Sequence, residues 1–344
     1  MYIKYQFPKH VLIDDDNCCT HGLHYSLGRA SRSTDSDKRT MTCKPCSLPL
    51  FACDSLIDAL SHNEDNDNTT PDTTTVSKET MNDAIQVARD TKEKFRLFMA
   101  HKARCACQNS AISNLHQHLQ DECIEARESS RTAVMIMDFK MKWEPVSGRE
   151  STQGHFGKRG IGWHGCCIVY YKQEKVQKED GTYELKATRY TSYIDQILSG
   201  TNKQDSMCVF SCLEAALLVI IEDLPFIDNV VLQSDNANAY QNCLIILCIV
   251  LLNVKYKDEI FISKFIHSET QDRKTQLDAH FAKAAGFLKR FMKTWYRNKV
   301  TKINTPRGLA HALSWNGGMQ NVAVQLLELD ASHCDKIRKT LLPL

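Results

Sequence analysis

Three aspartates sit where a chain rarely places an acid without a use for it. Asp138 interrupts the apolar run TAVMIMDFKMKW (Thr132 to Trp143). Asp235 ends the β-branched run of VVLQSDNANAYQN (Val230 to Asn242), and Asp278 opens an amphipathic stretch in SETQDRKTQLDAHFA. Carboxylates are hard oxygen ligands, and Mg²⁺ takes only a few of them while keeping waters. Two such ions roughly 3.5–4 Å apart activate a water or a 3′-hydroxyl and stabilise the leaving oxygen in phosphodiester chemistry. Each acid also has a plainer reading. Asp235 can be a strand end with a capped turn, Asp138 can be paired by Lys140, and Asp278 can be an acid favoured by a helix dipole. The case for chemistry rests on the order of the acids taken with the order of the elements that carry them.

Those elements follow from periodicity. Alternation along Thr132–Trp143 places Ile136, Asp138 and Lys140 on one face and Met135, Met137 and Phe139 on the other. CCIVYYKQ and YELKATRYTSYI, separated by KEDGT, continue as strands and predict a three-stranded antiparallel start. Ser206–Leu224 is an apolar helix, DNVVLQSD a fourth strand, AYQNCLIILCIVLL a second buried helix and DEIFISKFIHSE a fifth strand. The last helix carries Leu277, Phe281, Ala284, Leu288, Phe291 and Trp295 as its apolar stripe, with Asp278 at the stripe's edge. Three strands, helix, strand, helix, strand, helix is the order of a mixed α/β domain with one central sheet. Asp235 then stands at a strand's carboxyl end, where open α/β sheets place functional groups.

This stretch, about Thr132 to Lys293, resembles the ribonuclease H-like DDE/D transposase and integrase superfamily. Within it, DFKMKWEPVSGRE, GHFGKRGIGWHG, QSDNANAY and SETQDRKTQLDAHFA look like a largely uncharacterised eukaryotic group derived from mobile elements. The resemblance implies a ribonuclease H-like five-stranded mixed sheet flanked by helices. It also implies a metal-binding triad of Asp138, Asp235 and Asp278 using Mg²⁺ or Mn²⁺, a DNA substrate and a nuclear location. Glu269 is a rival third ligand. One departure stands out: Arg273 occupies a place where the family pattern has glycine.

Basic residues suggest where a nucleic acid would lie. From Ala279 to Leu327 there is no acid, and Lys283, Arg290 and Arg297 share the helix face opposite the apolar stripe. Lys158, Arg159 and His164 belong to the glycine-rich GHFGKRGIGWHG, and Lys140 and Lys274 flank the acids. Asn236, Asn238, Gln241 and Asn242 are expected to hold Asp235 and line the approach to it. The net charge is only +2, so affinity must come from such patches and not from the overall field.

The rest of the chain is plainer. Residues 1–60 are Cys/His-rich and irregular in pattern, and Cys18, His21, Cys43 and Cys46 offer a tetrahedral zinc site of no standard spacing. Residues 61–80 have linker composition, 81–130 read as a helical hairpin or one interrupted helix, 131–300 form the DDE/D domain, and 301–344 form a helical extension. The longest apolar run, Cys243–Leu252, is shorter than the ~20 residues of a membrane span. MYIKYQFPKHVLIDDDN lacks a secretory core, so the chain is expected inside the cell with most of its 15 cysteines reduced. The expected activity is a transposase-like nuclease or strand transferase acting on DNA, with DNA and further copies of the chain as expected partners and no membrane. The alternative is a catalytically inactive, domesticated DNA-binding or interaction protein that retains the fold.

Overall fold

The computed structural model describes residues 44–64, 78–126, 128–144, 160–200, 203–268, 276–296, 303–330, 332 and 336. The elements are α1 (Lys44–Glu64), α2 (Lys78–Ala126), β1 (Thr132–Trp143), β2 (Ile161–Gln177), β3 (Tyr183–Ser199), α3 (Ser206–Asp223), β4 (Asn229–Asp235), α4 (Cys243–Lys255), β5 (Phe261–Ser268), α5 (Gln276–Tyr296), α6 (Pro306–Leu313) and β6 (Val322–Glu328). The chain divides into two compact units, Met1–Ser113 and Asn114–Leu344.

In the first unit α1 is a 21-residue helix, where the Cys/His-rich composition of residues 1–60 led to the expectation of an irregular segment. Its start tolerates Pro45 because a backbone N–H at that position would have no intrahelical acceptor, and Pro49 lies inside the helix. α1 also takes in Ser61–Glu64, and α2 takes in Lys78–Thr80, so both ends of the expected linker are helical. α2 runs unbroken for 49 residues rather than turning back as a hairpin. No Pro or Gly interrupts it, and Ala, Lys, Glu and Gln favour helix throughout.

The second unit is built on one mixed sheet of six strands in the order β5-β4-β1-β2-β3-β6. β1, β2 and β3 are antiparallel neighbours, while β4 lies parallel to β1 and β5 parallel to β4. The sixth strand is a correction to the expected five and to the helical extension: β6 pairs parallel with β3 from Tyr193↔Val322 to Ser199↔Glu328. Its side chains are only partly buried, so VAVQLLE lacks the clean in-out alternation that announces a strand.

Each sheet face carries its own core. Val134, Ile136, Trp163, Cys167, Ile197 and Val231 point to the face covered by Leu277, Phe281, Ala284, Leu288 and Phe291 of α5, by α6, and by Leu119 and Cys123 of α2. Ala133, Met135, Met137, Ile168, Val230 and Leu232 point to the other face, under α3 and α4. Strands buried on both faces explain why β1 and β4 are continuous apolar runs. α3 and α4 are capped conventionally, by Asp205 accepting from Cys208 N–H and by Asn242 accepting from Leu244 N–H.

Candidate metal centre

Alternation places Asp138 on the α5 face of β1, in line with Val134 and Ile136. The parallel pairing of β1 and β4 reaches Met137↔Ser234, so Asp138 and Asp235 follow as the next residues of two adjacent strands. On its other side Asp138 faces Gly165 of β2. A Cβ there would sit 2.7 Å from Phe281 Cζ and 3.0 Å from Leu277 Cδ1. The missing side chain lets the first turns of α5 settle on the sheet beside Asp138, and Asp278 lies in that first turn.

The three acids feel one another. Burial first, then the charges of Asp235 and Asp278, push the Asp138 carboxyl up to about 7, against the lowering effect of a backbone hydrogen bond from Phe139. All three carboxylates are half-buried. Among the described residues no group of three or more His, Cys, Asp or Glu side chains stands close enough together to hold a metal ion. The acids are therefore electrostatic neighbours and not a preassembled shell. Mg²⁺ asks for less, since one or two carboxylates, waters and substrate phosphates commonly suffice. The donor type fits Mg²⁺ or Mn²⁺, and a cation would favour the ionised Asp138 carboxylate against the burial and neighbouring charges that raise its pKa.

Asp235 is held by backbone. Its Oδ1 accepts from Ala237 N–H at 3.0 Å, an Asx turn. Of the amides expected to hold it, Asn242 caps α4 instead, its Oδ1 accepting from Leu244 N–H at 2.9 Å. Behind it Ser234 Oγ lies 3.2 Å from His267 Nδ1, and Ser268 Oγ donates to Ser234 C=O at 3.1 Å, joining the ends of β4 and β5.

The basic residues divide. Lys140 does not pair with Asp138; its Nζ lies 5.2 Å over the Trp163 ring and 5.9 Å over Trp143. Burial lowers its pKa, partly offset by the charge of Asp195. Lys283 and Arg290 are exposed on α5, with the Arg290 guanidinium 5.7 Å over Phe287. His164, expected at the nucleic-acid surface, is fully buried in β2. The strand starts at Ile161, earlier than the glycine-rich loop suggested, and carries His164 to the α3 side. There its Nδ1 lies 2.7 Å from Gln196 Oε1, and burial lowers its pKa to about 4, so it is neutral. Lys158, Arg159, Glu269, Lys274 and Arg297 lie outside the described residues, as do Cys18, His21 and Cys43; Cys46 lies in α1 with no side chain described.

A second polar group escapes sequence reasoning. Asp195 of β3 is fully buried, and accepts from Trp163 Nε1 at 2.9 Å. His280 Nε2 lies 3.0 Å from both its oxygens, and the His280 ring stacks on Tyr193 at 4.2 Å. This group ties α5 to the sheet two residues beyond Asp278. Only the helical spacing of Leu277, His280 and Phe281 hinted that His280 points inward.

No protein-family model matches the chain, and no curated protein matches it. Among solved structures it is similar to the human cytomegalovirus terminase nuclease domain, soaked with manganese and inhibitor-bound, at 9% identity and a TM-score of 0.23 over 62% of this chain and 74% of that one. A second structure of that domain gives 8% identity and a TM-score of 0.23, over 63% of this chain and 75% of that one. A likeness at that level carries no argument about this molecule.

Proposed function

We propose that the chain is a ribonuclease H-like, transposase-type nuclease or strand transferase that acts on DNA with Mg²⁺ or Mn²⁺ held by Asp138, Asp235 and Asp278. The observation that carries this reading is the Asp138 carboxyl raised to about 7 by burial and by the charges of the other two acids. Three carboxylates from β1, β4 and α5 repelling one another on one sheet face are costly, and a divalent cation is what makes such a cluster favourable. Bound there, the ions would supply activation of a water or 3′-hydroxyl and charge stabilisation at the leaving oxygen.

The chain's own residues have narrower tasks. Asp138 and Asp235 hold fixed positions on adjacent strands, and the Ala237 N–H fixes one oxygen of Asp235. Lys140, propped over two indole rings on the same face as Asp138, can meet a phosphate without neutralising the acid. Exposed Lys283 and Arg290 extend the basic surface along α5.

Nicking of a supercoiled plasmid with Mg²⁺, with and without chelator, tests the proposal. Asp138→Asn, Asp235→Asn and Asp278→Asn should each reduce the rate by at least about 10²-fold while retaining the wild-type circular dichroism. Full nicking by all three variants would sink it. The second reading, a domesticated DNA-binding protein without catalysis, is favoured by the lack of any metal-holding group of three His, Cys, Asp or Glu side chains among the described residues. It predicts salt-sensitive DNA binding that the Asn variants leave intact, and no metal-dependent nicking by the wild type.

A further inference from the structure

Helix α4 has two apolar sides and one partner. Leu244, Ile245, Cys248 and Leu252 are buried in the cores beneath it. Ile246, Leu247, Val250, Leu251 and Val254, on its outer side, are 41–68% exposed. No residue from Cys243 to Val254 is charged. A helix that is apolar all round is ordinarily covered all round. Five such side chains form a patch on the order of 500 Å², the size that marks an interaction site on a soluble chain.

The spacing describes the shape that fits. Ile246, Val250 and Val254 form one row four residues apart, and Leu247 and Leu251 form the row beside it. Adjacent i±4 rows make a ridge and a groove, the surface that receives an identical pair of rows from another helix at a crossing angle of about −50°.

We propose that the occupant is a second copy of this chain, with α4 packed on α4 across a two-fold axis near Val250. A two-fold contact needs a self-complementary surface, and an uncharged ridge-and-groove meets that requirement without any opposite charge. Two such patches together bury on the order of 1,000 Å², at the lower edge for a specific interface. The polar ends supply the rim: Gln241 and Asn242 at one end of α4 are exposed, as is Lys257 beyond the other. Lys255 is already engaged by Glu214 at 2.6 Å and is not needed for the contact. The surface lies on the sheet face opposite the three acids, so dimerisation stands independently of the metal chemistry.

Sedimentation velocity of the full chain between about 1 and 100 µM tests it. The wild type should shift from monomer to dimer across that range, as expected for a small interface with a micromolar dissociation constant. Val250→Glu sets two carboxylates against each other at the axis and should weaken the dimer at least about 100-fold. Leu251→Ser is the milder companion, and it should weaken the dimer with unchanged circular dichroism even if the glutamate variant folds poorly. Asp138→Asn should dimerise as the wild type does. A wild type that stays monomeric throughout, or a dimer unaffected by Val250→Glu and Leu251→Ser, would overturn the proposal.

Discussion

Asp138 is a residue whose ionisation works against its own fold. Its ordinary value of 3.8 applies in the unfolded chain, and burial with two neighbouring acids raises it to about 7 in the folded one. Between those values the folded state binds the extra proton, so stability falls as the pH rises from about 4 to about 7 and then levels off. Asp138→Asn should remove that slope. In chelator, thermal melts should show little difference between variant and wild type near pH 4. Near pH 8 the variant should be more stable by about 2 kcal/mol, less than the full linkage value because the carboxyl keeps some solvent. Mg²⁺ should raise the wild-type midpoint at pH 8 and leave that of the variant nearly unchanged. Lys140, the evident partner for Asp138 in the sequence, contributes nothing to this balance because it is turned onto Trp163. Strand alternation gave the shared face of residues 138 and 140 correctly, but it carries no information on which ring a lysine tip will reach.

At the scale of elements, the site depends on how closely α5 approaches the sheet. Gly165 marks the point of contact, and Gly165→Ala places a methyl where Phe281 and Leu277 already lie within 3.0 Å. The expected cost is about 1–3 kcal/mol of overpacking, with metal-dependent nicking lost more severely than stability as Asp278 is pushed outward. A melt and a nicking assay on the same preparation separate the two effects. Much of this layer was legible beforehand: β1, α3, β4 and α5 stand close to the bounds their apolar periods predicted, because each is a long run of one period. What was not legible has identifiable causes. β6 has no clean alternation, β2 begins inside a glycine-rich stretch, and His164 is carried inward by that earlier start. The Asp195, Trp163 and His280 group joins residues far apart in sequence, and no local pattern announces such a contact.

For the whole molecule, the boundary of the sheet-bearing unit lies earlier than the change of period at residue 131. Leu119 and Cys123 of α2 belong to the core under α5, and the compact unit begins at Asn114. A fragment of residues 114–344 should therefore unfold cooperatively, whereas one of residues 131–344, missing both side chains, should be weaker by about 2–5 kcal/mol in urea melts. A similar long reach governs the acids. Asp138 and Asp235 become neighbours only when β1 pairs with β4, after the intervening β2, β3 and α3 have been looped out. Pairings so distant in sequence form late and slowly. Repulsion among the carboxylates is thus absent from the early, locally structured stages and is felt only as the central strands close. Divalent cations should accordingly slow unfolding while leaving the first steps of refolding unchanged, making the acids a kinetic latch on the finished sheet.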